Sequence, residues 1–438
     1  MVLFVSAIFL SLFAIAISQL NYAQCEPKHF AEEMEDIFQF AALHSSSKQP
    51  YFAANRTIKS SELNAKNAIK IWMFVRHGSR TGQTHETNVF KSFEDGLRAQ
   101  IIRNLENVTQ CPLSENNWKK LKKWKWDSQF EADRVITESG KAELKKIAEN
   151  LKARFPILFN VPFNKSNFNA VCTDEPRTKV SAAAFVDAIV GSQWRSNVLS
   201  VSNDEENKII RAFTYPPYIE LYRKRNKHGN ALLERFFETD TFLKVVEDVS
   251  NRLNFNDGQF DIGIDRVLDM HSLCQFEGTW TPGGKSVWCS MFTKDELLVL
   301  EYSHDLYRFI DCSPFGGEVN RRAHCLSVRD MMTHLSISDG PKVTTYFTHS
   351  AAILLHMTAM GAFEGIEELT VEYDKESRAD RRWNISRLDP MASNFVAVLY
   401  KHNQVKFFLN DKIVHLPGCN EGLCDVAFLQ TKFTQCYY

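Results

Sequence analysis

The chain has 438 residues, with 52 lysines and arginines against 53 aspartates and glutamates, and a formal net charge of -1. This balance excludes a globally basic nucleic-acid coat and an acidic solvating tail. Hydrophobic residues make up 44% of the chain and charged residues 24%, while the low counts of 18 glycines and 13 prolines exclude collagen-like and low-complexity classes. The length favours two or three domains, or one large α/β core with an insertion.

The N-terminal segment, residues 2–17, is an apolar run that carries no charge. It is typical of the hydrophobic region of a secretory signal peptide, and small residues suit cleavage after Ser18 or Ala23. An uncleaved membrane anchor is the alternative, because the run is about as long as the shortest transmembrane span. We expect a signal peptide over residues 1–23 and a secreted, soluble protein without a stable membrane anchor; its last residues carry no KDEL-type retention signal.

Three apolar, strand-like runs each end in a polar turn that opens a helix. These are residues 69–75 before Arg76-His77-Gly78, residues 168–172 before the segment TDEPR, and residues 343–347 before Thr348-His349-Ser350. Short buried strands that alternate with helices predict an α/β fold with a mostly parallel sheet flanked by helices. Ligands bind beyond the carboxyl ends of such strands, so we expect the three turns to converge on one site.

The stretch between the second and third of these units has a different pattern. Residues 193–334 are rich in helix formers and aromatic residues, which predicts a mainly helical insertion. The core is then expected to comprise residues 24–192 and 335–438. Near the end, residues 394–400 and 405–409 flank a polar turn and predict a hairpin added to the sheet edge.

Cysteines and glycosylation sequons fit a secreted chain. The ten cysteines are even in number and include no C-x-x-C, which favours disulfides over a zinc ribbon or a thioredoxin-like site. Spacing suggests three local pairs, while the full connectivity stays open: Cys274–Cys289, Cys312–Cys325 and Cys419–Cys424. Four sequons predict glycosylated surface loops, at Asn55, Asn107, Asn164 and Asn384.

The most informative segment is VRHGSRTG, residues 75–82. Two guanidiniums in one turn repel each other unless an anion lies between them, and with a phosphate present each can donate a forked pair of hydrogen bonds. A neutral imidazole directed at the phosphorus can act as a nucleophile and form a phosphohistidine. The alternative, an ordinary basic surface turn, is disfavoured because R-H-G-x-R at a strand end is rare by chance.

The segment resembles the R-H-G-x-R-x-P motif of histidine acid phosphatases, and the rest of the chain is similar to the multiple inositol polyphosphate phosphatase branch. The similarity covers nearly the whole mature chain, through SSKQPYFAAN, RFPILF, CTDEPRTKVSAAAF, KSVWCSMFTKDELLVLEY, SNFVAVLY and FFLNDKIVHL. It implies an α/β core that carries a helical cap, and a two-step phosphomonoesterase mechanism. The implied partner is a small-molecule polyphosphate rather than nucleic acid.

The resemblance also implies a role for each site residue. It assigns His77 as the nucleophile, Arg76, Arg80 and Arg177 as ligands of the transferred phosphoryl group, and His349 as a second histidine that contacts this phosphate. Lys48 either reaches a peripheral phosphate or is solvated. No metal-ligand set is evident in the sequence, and we expect no cofactor, because several arginines and a histidine can stabilise the charge on the phosphoryl oxygens.

Two positions depart from the family pattern. In the family the second histidine is followed by Asp or by Ala-Glu, and that acid protonates the leaving oxygen; here Ser350 and Ala351 follow His349. Loss of a general acid typically costs about 10²–10⁴-fold in rate. In addition, Gly82 stands where the motif has Pro, which is expected to loosen the loop that holds Arg80.

Two functional hypotheses therefore stay open. In the first, the chain is a phosphatase that uses another proton donor, for which Asp174, Glu175 and His85 are the sequence candidates. In the second, the same residues bind phosphate esters, but turnover is slow or absent because the acid is missing. An intermediate case also stays open, in which a substrate with a more acidic leaving group, such as an aryl phosphate, needs less protonation and is hydrolysed while inositol phosphates are not.

Overall fold

The computed structural model describes residues 37–54, 65–106, 108, 110–228, 230–255, 262–281, 283–378 and 380–437. The predicted signal peptide and the sequons at Asn55 and Asn107 lie outside the described residues. Within these ranges no helix combines the length and the apolar character needed to cross a membrane.

The described residues contain one mixed sheet of eight strands. The strands are β1 (Ala68–Arg76), β2 (Phe168–Cys172), β3 (Leu199–Val201), β4 (Val343–Thr348), β5 (Asn394–Tyr400), β6 (Gln404–Leu409), β7 (Lys412–Ile413) and β8 (Leu423–Asp425). Their order is β3-β2-β4-β1-β5-β6-β7, and β8 also pairs with β6. The first four strands in this order are mutually parallel, whereas β5 runs antiparallel to β1 and forms the predicted hairpin with β6.

Helices cover both faces of the sheet. In chain order they are α1 (Ile37–Leu43), α2 (Thr84–Ser92), α3 (Leu97–Glu106), α4 (Glu115–Lys123), α5 (Glu138–Arg154), α6 (Pro156–Phe159), α7 (Pro176–Val190), α8 (Arg195–Val198), α9 (Asp204–Ile210), α10 (Pro216–His228), α11 (Ala231–Phe237), α12 (Asp240–Arg252), α13 (Ile264–Trp280), α14 (Lys294–Cys312), α15 (Glu318–Arg322), α16 (Cys325–Ser336), α17 (Ser350–Ala359), α18 (Lys375–Arg378), α19 (Ile385–Leu388) and α20 (Val426–Lys432).

The central strand β1 shows why both faces are covered. Its residues 71–75 are all apolar, and alternate side chains point to opposite faces. Trp72 and Phe74 belong to one hydrophobic cluster, which includes residues of α16 and α17. Met73 and Val75 belong to a second cluster, which includes residues of α5, α6 and α7. The predicted α/β class with a sheet flanked by helices is therefore confirmed.

The predicted division into an α/β core and a helical insertion differs from the structure at two places. Residues 199–201, assigned to the insertion, form β3 and pair with β2 in the sheet. A strand of three residues leaves too short an apolar run to be seen in the sequence. Conversely, Phe90 of α2, assigned to the core, packs on Phe276 of α13 with ring centroids 5.8 Å apart. Trp124 donates to Glu277 of α13 at 2.7 Å.

Disulfides join Cys274 to Cys289 and Cys419 to Cys424, as predicted. The predicted Cys312–Cys325 pair is wrong, because Cys325 is bonded to Cys436 instead. Cys312 ends α14 as a buried free thiol. The fold packs the start of α16 against the C-terminal turn, which is 111 residues away in sequence, and proximity along the chain therefore misled the prediction.

The sequon at Asn384 does not lie in a surface loop. Its side chain is buried, and its Oδ1 accepts a hydrogen bond from the backbone N–H of Arg387 at 3.0 Å, which caps α19. Asparagine is both a preferred helix N-cap and the acceptor residue of a sequon, so the sequence alone could not separate the two roles. Asn164, by contrast, is exposed.

Candidate active site

The three predicted turns meet at one end of the parallel strands. Arg76 of β1 is paired with Thr348 of β4, so the next residues, His77 and His349, lie side by side with ring centroids 5.9 Å apart. Arg177, in the first turn of α7 after β2, places its Nη2 3.4 Å from Nδ1 of His349. The sequence thus correctly predicted which turns converge, and β2, β4 and β1 are adjacent in the sheet.

His77 is held by backbone and side-chain hydrogen bonds. Its N–H donates to the carbonyl of Thr348 at 3.2 Å, and its carbonyl accepts from Ala392 at 3.1 Å. The imidazole Nδ1 lies 3.0 Å from the carbonyl oxygen of Gly78, which can only accept, so Nδ1 carries the proton. Burial lowers the pKa of His77 well below its ordinary value, and Arg76 and Arg80 lower it further. The result is a neutral imidazole with its lone pair on Nε2, as a nucleophile requires.

The protonation of His349 follows from a chain of hydroxyls. Thr178 Oγ1 donates to the backbone carbonyls of Thr173 and Glu175, so it accepts the hydroxyl proton of Thr173 at 2.8 Å. Thr173 Oγ1 in turn accepts from Nε2–H of His349 at 3.1 Å. The pKa of His349 is lowered to about 3, mainly by burial and further by the charges of Arg177 and Arg211. The unprotonated Nδ1 faces Arg177.

The loop after His77 packs so closely on α5 that glycine is required on both sides. A Cβ on Gly78 would lie 2.5 Å from the carbonyl oxygen of Gly140, and a Cβ on Gly140 would lie 2.2 Å from that of Ser79. The N–H of Gly78 donates to Ser181 Oγ of α7 at 3.1 Å. Two helices therefore fix the backbone that positions His77.

Glu143 of α5 also holds this loop, a role that no local sequence pattern indicates. Its carboxylate accepts from Ser79 N at 2.8 Å, from Ser79 Oγ at 2.9 Å and from Tyr51 N at 3.0 Å. Burial raises the pKa of Glu143, and the N–H donors of Ser79 and Tyr51 oppose that effect. Glu143 is a positioning residue, since it contacts the backbone next to His77 rather than the imidazole.

Arg76 and Arg80 lie beside His77, and each keeps an N–H donor that makes no hydrogen bond with the described residues. Arg76 Nη1 donates to the carbonyls of Ser47, Asp389 and Pro390 at 2.6–3.0 Å, and Arg80 Nη1 donates to Thr81 O at 2.7 Å. The buried Nε atoms of both arginines have no hydrogen-bond partner in the described part of the chain. Burial lowers the pKa of Arg80 to about 10, with Glu86 opposing. Neighbouring guanidiniums with unused donors form an anion-binding site.

The loop is held by backbone hydrogen bonds even though Gly82 stands where the family motif has proline. Arg80 forms a β-bridge with Ile136, Thr81 N donates to Val135 O at 2.8 Å, and Gly82 O accepts from Arg134 N at 2.9 Å. The expected loosening is therefore compensated by the segment that precedes α5.

Two further cations extend the positive region away from His77. Lys48 is only 14% exposed at its side chain, so it is not solvated; its Nζ donates to Ser272 Oγ at 3.2 Å and lies 4.8 Å from the ring centroid of Phe276. The Arg80 guanidinium carbon lies over the same ring, 5.8 Å from its centroid. Arg308 of α14 stacks on Tyr307 at 5.2 Å and makes no hydrogen bond or ion pair with the described residues. Burial lowers the pKa of Lys48 and of Arg76, and the charge of Arg308 lowers both further, so the three cations lie near one another. The carboxylates of Asp389 and Asp311 also lie close enough to Arg308 to raise its pKa.

The candidate proton donors from the sequence are not directed at His77. Asp174 is 65% exposed at its side chain and pairs with Lys179 at 2.5 Å, and His85 is exposed on α2. Glu175 binds Arg177 at 3.0 Å and Arg211 at 3.5 Å through its two oxygens.

At the family's acid positions, Ala351 is buried and Ser350 Oγ donates to Asp389 Oδ2. Asp389 was missed because it lies 39 residues beyond Ser350 in sequence.

A neutral histidine among guanidiniums that keep unused donors, at the ends of parallel strands, can bind a phosphate ester. The sequence pattern of the histidine phosphatase superfamily (branch 2) matches residues 70–412. The chain belongs to this superfamily and is a phosphoric monoester hydrolase.

Curated relatives agree with this assignment, and solved structures share the fold. The chain is 28% identical over 377 residues to multiple inositol polyphosphate phosphatase 1 of Drosophila melanogaster, which covers 83% of this chain and 78% of the relative. It is 22% identical over 383 residues to the Homo sapiens protein of the same name, covering 81% and 76%. The phytase from D. castellii has a TM-score of 0.69 at 15% identity, covering 91% of this chain and 85% of that one. Bifidobacterium longum multiple inositol polyphosphate phosphatase in complex with inositol hexasulfate has a TM-score of 0.65 at 12% identity, covering 89% and 97%.

Proposed function

We propose that the protein is a secreted phosphatase that removes phosphates from inositol polyphosphates through a phosphohistidine at His77. The observation that carries the substrate class is the row of cations formed by Arg76, Arg80, Lys48 and Arg308, of which Arg308 makes no ion pair with a described residue. A phosphate bound between Arg76, Arg80 and Arg177 accounts for the cations nearest the nucleophile. Lys48, whose Nζ lies 4.0 Å from Glu86 Oε1, and Arg308 are the cations that a second phosphate on the same molecule would contact.

In the first step Nε2 of His77 attacks the phosphorus, and the ester oxygen leaves with the alcohol. Arg76, Arg80 and Arg177 stabilise the charge on the equatorial oxygens, and His349 contacts the same group. In the second step water attacks the phosphohistidine and releases phosphate. The lowered pKa of His77 supports this role, because burial and the neighbouring arginines favour the neutral imidazole that attacks phosphorus.

Secretion rests on the apolar, uncharged segment at residues 2–17 and on the disulfides. Bonds between Cys274 and Cys289 and between Cys325 and Cys436 persist in an oxidising compartment. Glycosylation at the exposed Asn164 fits the same route.

The second candidate is a phosphate-ester binder with little turnover, favoured by Ser350 and Ala351 at the positions of the family's acid. Phosphate release from inositol hexakisphosphate separates the two candidates. We expect release by the wild type, loss in His77→Ala, and no loss in His85→Ala, which changes an exposed histidine outside the site. No release by folded wild type, together with retained binding of inositol hexakisphosphate, would favour the binder.

Substrate class is tested at Arg308. Loss of a charge-assisted phosphate contact worth about 1.5–3 kcal/mol should raise KM for inositol hexakisphosphate by roughly 10–150-fold in Arg308→Gln. The KM for a substrate with a single phosphate, such as 4-nitrophenyl phosphate, should rise much less. The control Arg223→Gln changes an exposed arginine of α10 and should alter neither value. Equal rises for both substrates in Arg308→Gln would contradict a second phosphate site.

A further inference from the structure

The Ser350 hydroxyl and the buried Asp389 carboxyl lie next to residues of the reaction site. Ser350, the first residue of α17, follows His349 directly and donates through Oγ to Asp389 Oδ2. Asp389 is completely buried, and its Oδ1 has no hydrogen-bond partner within the described ranges. Its Oδ2 lies 3.4 Å from Nη1 of Arg76. The carboxyl is thus next to a guanidinium of the phosphate site, and the hydroxyl is next to its second histidine.

The chemistry requires a proton at this place. An inositol alkoxide is a poor leaving group, and a positioned donor accelerates its departure by about 10²–10⁴-fold. The other buried or half-buried carboxylates around His77 are engaged: Glu143 accepts three hydrogen bonds, Glu175 binds two arginines, and Glu86 accepts from Gln83 N in the capping box of α2. Asp389, by contrast, retains an unpartnered oxygen and contacts a hydroxyl that can pass a proton on.

The surroundings of Asp389 also favour a proton on its carboxyl. Burial raises the pKa of Asp389, and the charges of Arg76 and Arg308 and the Ser350 hydrogen bond oppose that effect. A bound phosphate dianion brings negative charge to the same two arginines and so offsets their opposition. The substrate itself therefore favours the protonated carboxyl.

We propose that Ser350 and Asp389 form a proton relay that replaces the missing general acid, an inference that rests on the proposed phosphatase function. As Nε2 of His77 bonds to phosphorus and the P–O ester bond breaks, the Ser350 hydroxyl gives its proton to the leaving oxygen. When Asp389 is protonated on Oδ2, its hydrogen bond with Ser350 Oγ runs from the carboxyl to the hydroxyl, which is opposite to the direction in the structure. The carboxyl then gives this proton to Ser350 and becomes a carboxylate. In the second step the carboxylate takes a proton back through Ser350 from the attacking water, while the P–N bond breaks and phosphate leaves.

Under this proposal Ser350 is the catalytic residue, because its hydroxyl contacts the leaving oxygen. Asp389 acts through Ser350. A merely structural Asp389 would instead support Arg76 and affect all substrates alike. The two roles are separated by the leaving group, since 4-nitrophenolate departs with little need of a proton and an inositol alkoxide does not.

The test measures phosphate release from inositol hexakisphosphate and from 4-nitrophenyl phosphate by wild type, Asp389→Asn and Ser350→Ala. Both variants should lose about 10²–10⁴-fold in kcat on inositol hexakisphosphate and far less on 4-nitrophenyl phosphate. Asp330→Asn is the matched control, because it makes the same change in a half-buried acid of α16 that accepts from Trp72 Nε1 at 2.7 Å, and the ratio of the two activities should not change. Ser350→Ala, a small change, covers the case in which Asp389→Asn fails to fold.

The outcomes distinguish the relay from the proposed function. Equal losses on both substrates in Asp389→Asn and Ser350→Ala would overturn the relay and leave the phosphatase function standing. Wild type that hydrolyses 4-nitrophenyl phosphate but not inositol hexakisphosphate would also overturn the relay, since no effective acid would be at work. Wild type that hydrolyses neither substrate would overturn both.

Discussion

Glu143 offers a direct test of how the fold positions the nucleophile. Its carboxylate accepts hydrogen bonds from Ser79 N, Ser79 Oγ and Tyr51 N, and its side chain lies in the interior with 1% exposure. Replacement by alanine removes all three acceptor contacts. The Ser79 and Tyr51 N–H groups lose this acceptor in a place that water cannot easily reach.

The cost follows from those contacts. A buried donor without an acceptor costs about 1–3 kcal/mol, so two such donors and the cavity predict a loss of about 3–5 kcal/mol in the free energy of unfolding for Glu143→Ala. Glu143→Gln keeps the volume and one acceptor oxygen, and is expected to lose about 1–3 kcal/mol. Displacement of the loop that carries His77 should lower kcat by about 10-fold or more in both variants, because small misplacements of reacting groups are costly.

Guanidinium-induced unfolding followed by fluorescence measures the first quantity, and phosphate release measures the second. Glu149→Gln on the same helix is the control; its side chain is 45% exposed and pairs with Lys145, so the loss should be below about 0.5 kcal/mol. If Glu143→Ala unfolds within about 1 kcal/mol of wild type and keeps its kcat, the reasoning about this loop is refuted.

Two further predictions concern pH and the disulfides. Burial lowers the pKa of seven histidines: His77, His271, His304, His324, His334, His349 and His356. Unfolded histidines bind protons below about pH 6.5 while these do not, so each removes up to ~1.4 kcal/mol of stability per pH unit as the pH falls from there towards 4. Thermal unfolding should show a midpoint that falls steeply between pH 7 and 5; a midpoint that stays constant or rises would contradict the assignment. Replacement of Cys325 and Cys436 by serine should cost about 4–5 kcal/mol, against about 2 kcal/mol for Cys419 and Cys424, because the first bond closes a much longer loop. Urea unfolding of the two double variants measures the difference, and equal losses would count against the loop-length argument.

The sequence predicted the convergence of His77, Arg177 and His349 because each follows an apolar run that ends in a polar turn. Such runs become adjacent parallel strands, and parallel strands bring their carboxyl ends to one edge. The local pattern was therefore enough to predict the fold class and the turns that meet. The hairpin of β5 and β6 was predicted for a similar reason, since both strands and the turn between them are contiguous.

Long-range contacts were not predictable in the same way. Asp389 meets Arg76 across 313 residues, and Glu143 meets Ser79 across 64. The nearness of Arg308 to Lys48 and Arg76 could not be predicted either, because it depends on how α14 packs. The Cys312–Cys325 pairing failed for the same reason, because the true partner of Cys325 is set by how the C-terminal turn packs.

Covalent phosphate on His77 tests the central claim most directly. Wild type mixed rapidly with inositol hexakisphosphate and quenched in alkaline denaturant, which preserves phosphohistidine, is digested and analysed by mass spectrometry. The account predicts phosphate on Nε2 of His77, no label in His77→Ala, and loss of the label as inorganic phosphate appears. Steady release of phosphate by wild type without any covalent phosphate on His77, or undiminished release by His77→Ala, would contradict it.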